Sequence, residues 1–318
     1  MRFLREAPAG CRLGVLRRRI GLTGMASLLL GLLAGGCGTG AGARSNGAGS
    51  SAGGGTGSGA GSGTGTGSSA PHCKRGLAYG FKSVADLAVL SPGVGWWYDW
   101  APQPDAPVAA SGAAEFVPMV WGWNQDTTVE GVVQRIPAGA RYLLAFNEPN
   151  FNSQANLTAQ EAAARWPDLE KIAKQRGLEL VSPAVNYCGG GCNQTDPFKY
   201  LDEFFAACQG CQVDYVAAHW YACTSDALQW YLGQFKKYGR PIWLTEFSCG
   251  DGTDRSLTVQ EQYMREAVAI LEGDPDVFRY AWFSGRTSAI PNVDLLGADG
   301  QLTALGQEYV GLPASCDP

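Results

Sequence analysis

The chain has 318 residues, 24 Lys and Arg against 29 Asp and Glu, a net charge of −5 and a pI near 5.2. That length holds one domain of barrel size plus leader sequence, and only 17% of it is charged. The acidic balance offers no basic surface to nucleic acid and sets that class of partner aside.

Residues 1–36 read as an export signal: Arg17, Arg18 and Arg19 precede an apolar run over 20–34, and small residues lead into Cys37. The run is too short and too rich in Gly for a good membrane span, so membrane attachment is expected only through a lipid on Cys37. Leu33-Ala34-Gly35-Gly36-Cys37 resembles a bacterial lipoprotein cleavage box, with Ala34 where Leu is usual. Ordinary cleavage is the rival reading. Either route places the protein outside the cytoplasm, as a lipoprotein on the cell surface or facing the periplasm, or as a secreted protein. Residues 37–72 are almost wholly Gly, Ser, Ala and Thr, which cannot bury enough apolar area to offset ordering entropy, so this segment is expected to be a flexible linker. A random coil of that length reaches roughly 30–35 Å. Residues 73–318 are then the single folded domain, and nothing in them indicates an oligomer, so a monomer is expected.

Within that domain eight apolar, strand-like runs recur at 76–81, 94–100, 116–123, 142–146, 178–184, 213–221, 242–247 and 279–284. Most are followed by helical signals. Thr158 with Glu161, and Thr258 with Glu261, read as capping boxes, and Gly239-Arg240-Pro241 closes another helix. Alternating strands and helices give an α/β fold with a parallel sheet, and eight such units fit a (β/α)8 TIM barrel. An open doubly wound sheet would normally carry a Gly-rich phosphate loop after its first strand, and Tyr79-Gly80-Phe81-Lys82 is not one.

Two runs deliver a glutamate at the tip. RYLLAFNEPN (141–150) ends in Asn147, Glu148 and Pro149, and PIWLTEF (241–247) carries Glu246. Asn147 could instead cap a short helix with Glu148 in its first turn. In a barrel, however, strand ends carry the chemistry, and Glu148 ends the fourth strand while Glu246 ends the seventh. Paired carboxylates are what glycoside hydrolysis needs, one to donate a proton to the leaving oxygen and one to attack or stabilise the sugar. The sixth strand ends in His219-Trp220-Tyr221, where alternation sets His219 and Tyr221 on one side, and the eighth reaches Trp282. A lone strand His, or a lone Trp, is as readily a core residue.

Together these residues resemble clan A of the glycoside hydrolases, retaining barrels with Asn-Glu on the fourth strand, His-x-Tyr on the sixth, Glu on the seventh and Trp on the eighth. More closely, LLAFNEPN, VDYVAAHWY, PIWLTEFSC and the opening KRGLAYGF resemble glycoside hydrolase family 128, a family of endo-β-1,3-glucanases, across 74–312. The resemblance implies polysaccharide degradation, with a β-1,3-glucan polysaccharide or oligosaccharide as substrate and no cofactor. It implies Glu148 as acid/base, Glu246 as nucleophile and Asn147 on the sugar 2-hydroxyl. It also implies His219 and Tyr221 lining the site, with Tyr221 orienting Glu246, and Trp282 flooring the reacting subsite. Tyr79, Trp123 and Asn124 stand at other strand ends as further substrate contacts. Two negative charges at the retaining separation of about 5–5.5 Å repel by roughly 3 kcal/mol. That is about two pKa units, which keeps Glu148 protonated beside a charged Glu246 and predicts a bell-shaped pH profile. The carboxylates do not specify the linkage, so a β-1,4-glucanase or a β-mannanase is an alternative, as is a non-catalytic surface glycan-binding protein. A Ser/His/Asp hydrolase is weaker, since Ser248 and Ser284 lack a nucleophile-elbow context.

Eight cysteines fall in the domain. In an exported protein an even number reads as disulfides, here Cys188 with Cys192, Cys208 with Cys211, Cys223 with Cys249, and Cys73 with Cys316. Zinc is the alternative for the closely spaced pairs, but one pair falls at the top of a barrel and the other at the bottom, so no metal is expected.

Overall fold

The structure, a computed structural model, describes residues 72–105, 108 and 111–317. The expected leader, Cys37 and all but the last residue of the expected linker lie outside them. Nine short strands follow in chain order: β2 (Arg75–Ala78), β3 (Trp96–Tyr98), β4 (Glu115–Phe116), β5 (Met119–Val120), β6 (Tyr142–Asn147), β7 (Glu179–Val185), β8 (Tyr215–Trp220), β9 (Ile242–Phe247) and β10 (Val277–Trp282). They pair in parallel in the order β4-β3-β2-β10-β9-β8-β7-β6-β5. Its two edges, β4 and β5, are halves of one expected run, interrupted where Pro118 has no N–H to give. Val117 N still donates to Trp97 O on β3 (2.9 Å), and Pro118 O accepts from Leu144 N on β6 (3.0 Å). That segment closes the sheet into an eight-position barrel, as the sequence predicts. The two ends of the described residues meet in a separate antiparallel pair, β1 (His72–Cys73) with β11 (Cys316–Asp317).

Helices α1 (Val84–Leu90), α2 (Val129–Arg135), α3 (Ala159–Arg176), α4 (Pro197–Ala207), α5 (Ser225–Phe235), α6 (Leu257–Gly273) and α7 (Ala304–Gly311) cover the barrel. The Thr158–Glu161 capping box opens α3, and Gly177 closes it at φ 68°. Gly239, at φ 59°, ends the 3-10 turn Lys236–Tyr238 that continues α5. The Thr258–Glu261 box does not form. The helix α6 starts two residues earlier than that box requires, at Leu257 behind Ser256, so Thr258 is already inside the first turn.

Strand alternation sorts the core into two layers. Leu143, Val216, Leu244 and Tyr280 face outward and pack with Trp166, Phe204 and Phe235 of the helices, while Trp96, Tyr142, Tyr215 and Trp243 fill the barrel. At the bottom Arg279 lies over the rings of Trp96, Tyr142, Trp243 and Phe278 and pairs with Glu115 at 2.5 Å. Near the top, the ladder slips by one residue on both glutamate strands. On β6 the slip falls at Ala145, which pairs with Pro183 before Asn147 returns to phase opposite Ala184, and on β9 it falls just before Glu246, which pairs one step out of phase with His219. Such bulges re-aim the side chains that follow them, here both carboxylates.

The sulfurs of Cys188–Cys192, Cys208–Cys211 and Cys223–Cys249 are joined as disulfides, so these cysteines are not zinc ligands. Cys73 is also disulfide-bonded and stands opposite Cys316 in register. The Cys316 side chain lies outside the described residues, and with it the expected fourth bridge.

Candidate active site

Glu148 and Glu246 meet at the top of the barrel, both buried, at 8% and 5% exposure. Glu148 takes a positive φ of 39° just past β6, and its N–H donates to Ala184 O at 2.9 Å, which fixes the backbone that aims it. His219, fully buried on β8, stands between the two acids. Its Nδ1 lies 2.9 Å from Glu148 Oε1 and 3.3 Å from Glu246 Oε2, and one ligating atom from each of the three residues lies within 4.8 Å of the others. Burial, the largest influence, pushes the His219 pKa down, but Glu246 and Glu148 together outweigh it and leave it raised. A proton on that ring lies within reach of both acids, so it partly offsets the negative charge that the pair carries.

The two acids have unlike surroundings. Three donors converge on Glu246: Tyr98 Oη (3.0 Å) and Trp100 Nε1 (2.8 Å) on Oε1, and Tyr221 Oη on Oε2. Burial, reinforced by the Glu246 charge, holds the phenols of Tyr98 and Tyr221 well above their ordinary pKa, so both remain O–H donors. Glu148 receives only His219 and a long contact from Asn186 Nδ2, at 3.4 Å. Among the described residues, Glu148, His219 and Glu246 are the group with metal-ligating chemistry, yet the donors aimed at both Glu246 oxygens fit an acceptor held for organic chemistry better than a cation's ligand. Asn147, at the tip of β6, donates to Gln154 Oε1 (3.3 Å), while its Oδ1 is buried with no hydrogen-bond partner.

The structure thus brings Glu148, Glu246, Asn147, His219 and Tyr221 together. Trp282 requires correction: it is fully buried, its Nε1 donates to Val293 O at 2.9 Å, and its ring packs on Phe247 and Tyr309 in the outer layer. Phe283, one residue on, turns inward instead and contacts the rings of Trp100 and Tyr221 at 6.0 and 5.9 Å. Tyr79 is fastened from outside the acid pair. Its Oη accepts from Arg286 (3.0 Å), and its ring fills the space a Cβ on Gly285 would need, 2.5 Å away. Asn124 Oδ1 is spent in its own turn, accepting from Asp126 N and Thr127 Oγ1 at 2.9 and 3.0 Å. Trp123 is half-buried against the outer core. None of these three touches either glutamate, whereas Tyr98, Trp100 and Asn186 do and were not singled out in the sequence. Trp100 carries φ 60°, a conformation the sequence does not announce.

A closed parallel barrel with two buried glutamates at the ends of its fourth and seventh strands defines a glycoside hydrolase. A family model described as glycosyl hydrolase catalytic core matches residues 76–309. A family 128 (subgroup II) endo-β-1,3-glucanase from Sorangium cellulosum is 49% identical, with a TM-score of 0.70 over 76% of this chain and 99% of that one. A subgroup I endo-β-1,3-glucanase from Amycolatopsis mediterranei, solved with laminaritriose, is 35% identical, with a TM-score of 0.62 over 74% of this chain and 98% of that one. The Alkali-sensitive linkage protein 1 of Schizosaccharomyces pombe is 29% identical over 247 residues, 74% of this chain and 44% of its own length, so the chain spans less than half of that relative. The chain belongs to glycoside hydrolase family 128.

Proposed function

We propose that the protein is an endo-β-1,3-glucanase acting by a retaining double displacement, with Glu148 as acid/base and Glu246 as nucleophile. The observation that carries this reading is the pair of buried carboxylates with ligating atoms within 4.8 Å, the short spacing of retaining enzymes rather than the roughly 6.5–9.5 Å that makes room for a water in inverting ones. A Glu246 oxygen attacks the anomeric carbon while Glu148 gives its proton to the departing glycosidic oxygen. The glycosyl ester on Glu246 is then cleaved by water, whose proton goes to Glu148, and both residues return to their starting states. The assignment of roles follows from their surroundings. Tyr98, Trp100 and Tyr221 hold both oxygens of Glu246 as acceptors in a fixed direction, while Glu148 is sparsely bonded and free to exchange a proton. The buried, unpaired Oδ1 of Asn147 suits a hydrogen bond from the sugar 2-hydroxyl. The β-1,3 linkage is carried over from the family 128 relatives, and endo action from their described activity.

Export is part of the same reading, supported by the disulfides and by the Arg17–Arg19 leader, with a lipid on Cys37 tethering a monomeric domain. A mass spectrum of the mature protein showing a lipid-bearing N-terminal Cys37 is the expected result, and an unmodified terminus sinks the anchor. For activity, we would incubate the protein and Glu246→Gln with β-1,3-glucan, β-1,4-glucan and β-mannan and size the products. Short β-1,3-oligosaccharides from the wild type alone are expected. Products from another polymer only would overturn the linkage. No cleavage by folded protein would leave a surface glycan binder.

A further inference from the structure

We infer that a groove on the flank of the barrel is a second binding site for a neutral polysaccharide chain, distinct from the catalytic cleft. The inference deepens the glucanase reading by supposing that the polymer held there is the one cleaved. The groove, of about 410 Å³, runs between α4 and α5, with Tyr187 at its upper end and Trp230 along its wall. Three aromatic residues among the described ones are substantially exposed: Trp121, Tyr187 and Trp230, the last two at 40% and 52%. Two of the three therefore line this one groove. Exposed indole and phenol rings, apolar on the face and polar at the edge, are the surfaces on which the C–H faces of a sugar pack.

The other lining groups say what kind of ligand fits. Two acids, Asp196 and Asp202, stand with two lysines, Lys199 and Lys237. Asp196 is spent capping α4, accepting from Phe198 N and Lys199 N. Lys237 is paired with Asp202 at 2.7 Å and lies over the Phe198 ring. With two acids balancing two lysines, the groove has no surplus charge to attract a phosphate, a polyamine or an anionic membrane, and its polar groups suit a polyhydroxylated chain. It is also placed to share one polymer with the active site. Tyr187 follows Asn186, whose Nδ2 reaches Glu148, so the groove begins one residue along the chain from a group that touches the acid pair. Two sites on one strand raise its effective concentration at the cleft without any new catalytic contact.

The test is native electrophoresis in gels containing soluble β-1,3-glucan, comparing Glu246→Gln, which binds without cleaving, with Glu246→Gln/Trp230→Ala and Glu246→Gln/Trp230→Tyr. Loss of the ring is expected to weaken retardation roughly tenfold, the equivalent of about 1.4 kcal/mol. Tyr is expected to restore most of it. In the otherwise wild-type enzyme, Trp230→Ala is expected to leave hydrolysis of a β-1,3-linked pentasaccharide unchanged while slowing attack on insoluble glucan. Equal retardation with and without Trp230 overturns the groove, whatever the enzyme cleaves. If the wild type cleaves no β-1,3-glucan but Trp230→Ala still abolishes retardation, the glucanase reading fails and the binding site stands.

Discussion

At the scale of single residues, the acid pair is governed by what lies between and behind it. Tyr221 Oη is a donor to Glu246 Oε2, so Tyr221→Phe removes one hydrogen bond to a charged group, commonly worth about 1.5–3 kcal/mol. A fall in kcat of roughly ten- to a hundredfold with little change in KM is expected from steady-state kinetics. Trp100→Phe should behave alike, since its indole N–H is spent on Oε1. His219 gives a pH-dependent signature. Its pKa in the folded chain is raised above the ordinary 6.5, so the folded state holds that proton more tightly than the unfolded one. The stability this supplies is fully present below the unfolded pKa and is lost as pH rises through the folded pKa. Urea unfolding of wild type and His219→Asn should therefore differ more at about pH 6 than at about pH 9. A gap that widens with pH would contradict the proton-sharing arrangement. His219 and Tyr221 were legible because strict alternation along β8 puts both inward. Tyr98 and Trp100 were not, since Trp96-Trp97-Tyr98 reads as plain core and the turn of Trp100 at φ 60° leaves no sequence mark. Trp282 misled for a related reason: parity counted upward from the inward Arg279 gives Ala281 and Phe283 the barrel face and Trp282 the helix face.

At the scale of elements, the site depends on loops that two of the strands release just past the bulges. Cys223 follows Tyr221 by two residues and Cys249 follows Glu246 by three, so their disulfide ties the loop after the sixth barrel strand to the loop after the seventh. It spans a sequence separation of 26, and closing a loop of that size is worth about 3.5 kcal/mol in the chain-entropy account. The Cys223→Ala/Cys249→Ala double variant should lose about that much stability to urea. It should also lose activity at temperatures where it remains folded, because the loops that hold Tyr221 and Glu246 in register are no longer joined. The short Cys208–Cys211 bridge, far from the acids, should cost less stability and no activity when removed. All eight strand runs could be located from apolar periodicity and turn residues alone. Their bulges could not, because a one-residue slip exists only relative to the neighbouring strand, and such slips lie just before both glutamates.

At the scale of the whole molecule, the two ends of the barrel divide the labour. The top carries three interacting ionisable groups and a set of donors aimed at one carboxylate. The bottom is sealed by Arg279, buried among four rings and paired with Glu115, which also binds Arg141 at 3.0 Å. Glu115→Ala leaves a buried guanidinium without its counter-charge, which typically costs about 3–5 kcal/mol. A drop of that order in urea stability with unchanged kcat for the folded fraction is expected, since the charge pair at the bottom serves the fold and the top serves the chemistry. In the proposed mechanism Glu246 forms a bond to the sugar rather than guiding a water. Proton NMR of freshly released oligosaccharide, recorded before mutarotation, tests it most directly. Two inversions at one carbon predict that the first product of β-1,3-glucan cleavage is the β-anomer, and first-formed α-anomer would contradict the assignment of Glu246 as nucleophile.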